Sequence, residues 1–224
     1  MSALVRAVVK ALVDHLVVAA PSLDEGARWC QAALGITPGA GGQHPLMGSH
    51  NRLFNIGSEA FPQAFFEIIA IDPAAHAPGR ARWFGLDDLD LSDGPRLLHF
   101  VARSSDVAER GAALHAVGFD IGRVLAASRD TPQGRLEWHL SVRDDGRLLA
   151  GGALPTLIDW GATPHPVLSM PASGVTLRAL GLRGLPRAAM QALGLPGVEA
   201  LAGAGPALSA TLDTPRGRVT LTSL

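Results

Sequence analysis

The sequence predicts an α+β fold assembled from a β-α-β-β-β unit used twice, and three observations predict it. A strand-like run, a capped helix and a glycine stop recur at nearly equal spacing: His15 to Gly35 spans 20 residues and His99 to Gly118 spans 19. Each helix is followed by short β-rich runs separated by turn signals. The composition, 47% hydrophobic and 17% charged, is that of a chain able to bury a core rather than a disordered one.

In the first unit, Val13–Ala19 alternates with a period of two and opens as a strand. Ser22 and Glu25 then form an S-x-x-E capping box, and Ala33-Leu34-Gly35 ends the helix with glycine just past its last turn. Arg52–Ile56 and Ala64–Ile71 are strands, with a weaker run before them, so module one covers residues 12–72. Residues 73–95, rich in Pro, Gly and Asp, read as a crossover linker. Its Arg82-Trp83-Phe84-Gly85 is apolar enough to pack back over a pocket mouth.

Module two covers residues 96–161. Leu97–Arg103 is its first strand, and a helix starts at Ser105 or Asp106 and stops at Ala116-Val117-Gly118. Gly122–Ser128, Arg135–Val142 and Pro155–Trp160 follow as strands. Thr131-Pro132-Gln133-Gly134 and Asp144-Asp145-Gly146 are the turns between them; the second lacks the remaining ligand spacing of a calcium loop. Residues 162–224 repeat the order weakly. Val175–Leu180 is a strand, Pro186 begins a short helix, Ala192-Leu193-Gly194 stops it, and Val198–Gly203, Ala207–Leu212 and Arg218–Thr222 are strands. This C-terminal β-rich part is expected to be a third, degenerate module; the alternative is an extension packed on the sheet edge.

Several classes of function are excluded at this level. The formal charge is −1 and the Arg residues are scattered, so no basic stripe exists to neutralise a nucleic-acid backbone. The single cysteine, Cys30, allows no internal disulfide and no cysteine-rich zinc site; beside Trp29 in a helix it reads as a buried thiol. Arg6, Lys10, Asp14 and His15 interrupt the apolar N-terminal stretch too often for a signal or spanning helix. A cytoplasmic protein with no membrane partner is expected.

The chemistry should sit where ionisable residues interrupt apolar strands. By alternation, Val13, His15, Val17 and Ala19 share one face; so do Phe65, Glu67, Ile69 and Ile71; Leu97, His99 and Val101; and Leu157, Asp159 and Gly161. The order is imidazole then carboxylate, twice. Burying such groups singly costs several kcal/mol, roughly, unless they are paired or bind a metal. Convergence of all four explains them best. Two imidazoles and two carboxylates suit a divalent ion of the Zn, Ni, Co, Mn or Fe type and leave positions for substrate oxygens.

The segments VDHLVVAAPSLDEGARW, FFEIIAIDP, LLHFVAR and PTLIDWG resemble the first and last strands of the two modules in the vicinal-oxygen-chelate superfamily, which includes glyoxalase I, methylmalonyl-CoA epimerase, extradiol dioxygenases and drug-binding resistance proteins. GGQHPLMGSHNRLFNIG with ARWFGLDD is similar to the bacterial glyoxalase-like domain group. The resemblance covers about residues 12–161. It implies tandem βαβββ modules forming a curved, mixed half-barrel sheet with helices outside. It implies metal ligands at His15, Glu67, His99 and Asp159, although many members carry Glu where Asp159 stands. A divalent-metal-dependent lyase or isomerase acting on a small oxygenated substrate through an enediolate is the expected activity, with Glu67 or Asp159 moving the proton. The alternatives are an Fe(II) extradiol-type dioxygenase using His15, His99 and Asp159, and a metal-free binding protein with stacking surfaces at Trp83, Trp138 or Trp160. Modules of this superfamily often pair across a homodimer; here one chain could close the barrel alone.

Further substrate contacts are expected from His50 and Asn51 in the Gly-rich segment, and from Trp83 and Trp160. His44 has no compact ligand spacing to His50 and is assigned no role. Glu137 and His139 alternate with Leu136, Trp138 and Leu140, and read as the solvated side of a hairpin strand. His76, His115 and His165 are assigned none.

Overall fold

The structure, a computed structural model, describes residues 11–131 and 134–223; the expected Pro132-Gln133 turn and residues 1–10 of the apolar N-terminal stretch lie outside them. Strand β1 (Leu12–Ala19) leads to α1 (Leu23–Ala33), then β2 (Gly39–His44), β3 (Ser49–Asn55) and β4 (Phe65–Ile71). The second unit runs β5 (Arg96–Arg103), α2 (Val107–Ala116), β6 (Arg123–Thr131), β7 (Gly134–Val142) and β8 (Thr156–Asp159). The caps act as the sequence predicts: Ser22 accepts from the Glu25 N–H, and Gly35 and Gly118 take φ of +77° and +93°. Non-glycine side chains resist that left-handed region.

All eight strands form one sheet in the order β2-β3-β4-β1-β5-β8-β7-β6. In each module the first strand pairs in parallel with the last, β1 with β4 and β5 with β8, and the modules join where β1 meets β5 antiparallel. The sheet curls until its two edges approach: Arg129 on β6 reaches Asn51 on β3, at 3.0 Å. Opposite this seam, Gly41 lies so close to β3 that an added Cβ would fall 2.1 Å from the Asn51 carbonyl oxygen, so only glycine fits. The expected curved half-barrel with helices outside is the observed one.

The central β1–β5 ladder carries two bulges. Val13 pairs with Ala102 but His15 with Val101, leaving Asp14 surplus; Val17 pairs with His99 but Val18 with Leu97, leaving Leu98 surplus. Each bulge sits immediately before the histidine of its strand. Because a bulge breaks alternation, Val13 and Leu97 join the outer core with Leu16, Val18 and Phe100, contrary to the expected sharing of a face with His15 and His99.

The C-terminal part has the predicted element order, β9 (Thr176–Leu182), α3 (Arg187–Leu193), β10 (Val198–Ala200), β11 (Leu208–Thr214) and β12 (Gly217–Thr222), but not the module's topology. Its sheet runs β10-β9-β11-β12, so the first strand pairs in parallel with the second of the unit rather than with the last. It is therefore not a third copy. Its apolar side, including Leu177, Leu180, Leu193 and Leu212, is continuous with the outer core of the main sheet. Arg110 of α2 ties the two parts by donating to the carbonyls of Ala192 and Leu193.

On the concave side, Val17, Ile69, Val101, Trp138, Leu140 and Ile158 form a second core. The linker folds back into it through a short 3₁₀ segment, Trp83–Asp88, which buries Trp83, Phe84 and Leu86. Among the described residues no helix is long and apolar enough to cross a membrane.

Candidate functional site

Inside the concave face lies a narrow cavity lined by His15, His44, Asn51, Phe65, Glu67, Trp83, Arg129, Trp138 and Trp160, among others. The bulge at Asp14 shapes its polar end. Adjacent residues of a regular strand point to opposite faces, yet here Asp14 Oδ1 accepts from His15 Nδ1 at 2.6 Å. Asp14 is fully buried, and its other oxygen accepts from Trp160 Nε1 at 3.0 Å and from His165 Nε2 at 2.9 Å. The Val167 N–H donates to Nδ1 of His165, which leaves Nε2 to carry the proton toward Asp14. Phe65, level with His15 on β4, stacks on the imidazole at 4.4 Å and fixes its plane.

The far side of His15 faces a second carboxylate, with Nε2 3.5 Å from Glu67 Oε2. Glu67 Oε1 accepts from Asn51 Nδ2 at 2.6 Å. That amide is oriented by its own partners: its oxygen accepts from Gly42 N–H and Arg129, and its nitrogen also donates to His44 Nε2. His44 is left to donate from Nδ1 to Ser49 Oγ. The result is one buried chain of polar contacts running Asp14–His15–Glu67–Asn51–His44–Ser49, hydrogen-bonded at every link except the His15–Glu67 ion pair.

Charge follows from these partners. Burial opposes a charged imidazole, but the hydrogen bonds and attraction of Asp14 and Glu67 outweigh it and raise His15 to about 9. Burial would raise Glu67; the His15 hydrogen bond and charge, His44 and the Asn51 amide bring it down instead to about 2. Asp14 likewise lies well below the usual carboxylate range, because the His15 and His165 bonds outweigh burial. His44 is pushed the other way, to about 4, chiefly by burial, with Glu67 opposing and Arg129 and His15 adding to the effect. At neutral pH the cavity thus holds an imidazolium between two carboxylates, beside a neutral imidazole.

Of the four expected ligands, the structure brings together His15 and Glu67. His99 also faces inward from β5, but its Nδ1 donates to the Gly152 carbonyl at 3.0 Å and its Nε2 accepts from the Thr156 N–H at 2.9 Å. Burial holds it neutral, at about 3. Asp159 is turned away: Ile158 lines the cavity, so alternation points Asp159 outward, where it accepts from the Gly161 N–H. The register shows why. Val17, two residues past His15, pairs with Glu67; Val101, two past His99, pairs with Thr156. Thr156, not Asp159, is the counterpart of Glu67, and its Oγ1 lies 3.1 Å from His99 Nε2.

The residues present do not fit the expected two-imidazole, two-carboxylate ion site. His99 has both nitrogens engaged, and Asp159 lies on the other face, which leaves only His15 and Glu67 of the four together. Among the described residues no three His, Cys, Asp or Glu side chains converge as a ligand group.

The remaining expectations divide. Asn51, Trp83 and Trp160 line the cavity, whereas His50 is turned the other way by the alternation that turns Asn51 in; its Nδ1 lies 3.9 Å from Asp72. Glu137 and His139 are exposed, as predicted for a solvated strand face. Cys30 is buried, and burial pushes its thiol up to about 12. The functional residues missed are Asp14, His44, Arg129 and His165. A dipeptide Asp14-His15 inside an apolar strand was a usable signal for the first; nothing local distinguishes the others.

An eight-stranded sheet of two βαβββ modules, joined by their first strands and enclosing a polar pocket, is the architecture of the vicinal-oxygen-chelate superfamily. Within it, the chain belongs to the glyoxalase-like domain family, whose model matches residues 13–195 and so reaches beyond the paired modules through α3. No curated protein matches the chain. Among solved structures, a hypothetical protein from Staphylococcus aureus is similar over 95% of this chain and 85% of its own, at 12% identity and a TM-score of 0.57, a likeness of fold. Methylmalonyl-CoA epimerase from Streptomyces coelicolor covers 70% of this chain and 99% of its own at 16% identity, with a TM-score of 0.44. The Mycobacterium tuberculosis epimerase covers 72% and 95% at 17% identity, with a TM-score of 0.40.

Proposed function

We propose that the cavity is an acid–base centre that enolises a small carbonyl compound, in a lyase or isomerase reaction. The observation that carries this is the buried contact between His15 Nε2 and Glu67 Oε2, at 3.5 Å, with Asp14 behind the imidazole. A substrate carbonyl oxygen would accept from His15 Nε2 while the neighbouring C–H faces Glu67 Oε2. Glu67 takes the proton, the C–H electron pair becomes the new C=C bond, and the carbonyl oxygen takes the proton of His15. A neutral enol results. Returning a proton to the other face or the adjacent carbon isomerises the substrate; expelling a leaving group one carbon further on makes the reaction a lyase.

The depressed pKa of Glu67 is compatible with this role because, against burial, its main causes are the hydrogen bond and then the charge of His15. As His15 gives up its proton, that attraction ends and the carboxylate becomes a stronger base. Acid and base are coupled, each prepared by the other.

The test is exchange of the α-proton in D₂O, followed by proton NMR across a panel of small hydroxyketones, hydroxyaldehydes and oxo acids. At least one should exchange far above the buffer rate, and His15→Gln or Glu67→Gln should each slow it by about 10²–10⁴-fold. Exchange untouched by either substitution would end this reading.

A second reading, a small-molecule sequestering protein, is favoured by the aromatic walls: Trp138 and Trp160 stand 5.6 Å apart, and Trp83 also faces the cavity. It expects tryptophan quenching by a ligand that the wild-type protein leaves chemically unchanged.

A further inference from the structure

The inner cavity leaves only about 50 Å³ free, room for a reacting group and little more. Beside it opens a second chamber of about 820 Å³. Leu53, Arg129 and Pro166 line both, so the two chambers adjoin, and Arg129 stands where a neck between them would lie. Two features of the larger chamber point to an occupant. Its wall includes Leu53, Leu136, Leu168 and Met170, and Leu168 is 67% exposed, an unusual exposure for a large apolar side chain on the inside of a concavity. At the neck, Arg129 donates from Nη1 to Asn51, while its Nε is buried with no hydrogen-bond partner. The guanidinium lines both chambers, so its remaining N–H groups offer charge-assisted donors to an anion held between them.

Resting on the acid–base reading above, we infer that the substrate is a long-chain oxo acid. Its carbonyl enters the inner cavity against His15, its carboxylate binds Arg129 at the neck, and its apolar tail fills the outer chamber. Size separates this class from a three-carbon sugar derivative, which would leave the outer chamber empty. Charge separates it from a neutral ketone, which would leave Arg129 unanswered.

Binding can be read without turnover, using saturated carboxylates of four, six, eight and ten carbons and the matching primary amides as probes, with Trp138 and Trp160 fluorescence as the signal. Affinity should rise about three- to fourfold per added methylene, and each carboxylate should bind at least about tenfold more tightly than its amide. Leu168→Asp, a surface change that leaves the fold intact, should flatten the chain-length series. Arg129→Gln should remove the preference for carboxylate over amide but keep the dependence on length, and Arg129→Lys should restore part of the preference. Affinity independent of length, a series unchanged by Leu168→Asp, or amides binding as well as carboxylates would each overturn the inference. Its failure is separable from that of the parent reading. Exchange of short oxo acids with no length dependence removes only the long-chain substrate. An intact binding series in a protein that exchanges no α-proton in long-chain oxo acids removes only the acid–base role.

Discussion

His15 and His99 occupy matching places in the two modules, each on the first strand, each directly after a bulge, each level with the same point of the last strand. Their chemistry is opposite. His15 is held charged, at about 9, and His99 neutral, at about 3. Two substitutions between the halves account for the difference. The bulge residue is Asp14 in one and Leu98 in the other, and the partner on the last strand is Glu67 in one and Thr156 in the other. The fold is duplicated while the electrostatics is not: one half holds a charged imidazole between two carboxylates, and the other uses its imidazole to tie Gly152 and Thr156 together.

Making the first module resemble the second should have the largest effect. Asp14→Leu removes the acceptor of His15, Trp160 and His165 at once, and breaking such a buried charged network costs about 3–5 kcal/mol. Denaturant melts should show that loss, and nitrogen-15 NMR of the imidazoles should show His15 largely neutral at pH 8. A His15 still protonated there would mean that Asp14 is not what distinguishes the two histidines.

Acid stability sharpens the comparison from the other side. His99 and His44 have folded pKa values below the unfolded value, so between pH 6.5 and about 4 the unfolded chain binds protons that the folded one refuses, and stability falls with pH. The signs differ elsewhere: the His15 contribution is intact below pH 6.5 and is lost as pH rises through about 9, and that of Glu67 is intact above pH 4.5 and fades toward 2. Stability should therefore drop by about 1–2 kcal/mol per buried neutral histidine from pH 6.5 to 5. His99→Gln should reduce that slope; an unchanged slope would show that His99 is not the group titrating.

The smallest effect belongs to His165. His165→Ala should withdraw one of the donors holding Asp14 and, in the proposed exchange reaction, move the alkaline limb expected near pH 9 from His15 by a fraction of a unit, with the rate falling only a few-fold. A loss as large as that of His15→Gln would instead put His165 in contact with substrate.

Much of the fold was legible because its signals are local. The Ser22–Glu25 cap, the glycine stops and the alternation in Ala64–Ile71 are written within a few residues. The site was legible by half. His15 and Glu67 follow from alternation, but Asp14 is brought beside His15 by an irregularity that alternation cannot express. Alternation and the family resemblance point to Asp159, the ionisable residue of its strand, whereas the parallel register, a long-range property, decides that Thr156 is the residue facing His99. His44 and Arg129 join the site only because the sheet curls far enough to bring β6 to β3. The C-terminal segment shows the converse: equal element order with unequal strand pairing, set by packing rather than by sequence pattern.

The paired bulges also govern which insertions and deletions the barrel can absorb. One surplus residue on each central strand returns the ladder to its original alignment by its far end, since Leu12 and Val13 keep the same offset to their partners as Val18 and Ala19. Excising Asp14 alone would leave both flanking pairs in place, Val13 with Ala102 and His15 with Val101, and make the ladder regular there, at the cost of the carboxylate behind the imidazole. A residue lost elsewhere in this ladder would instead slip the pairing by one and invert the faces beyond it, so the two bulges are the places where the central strands can change length.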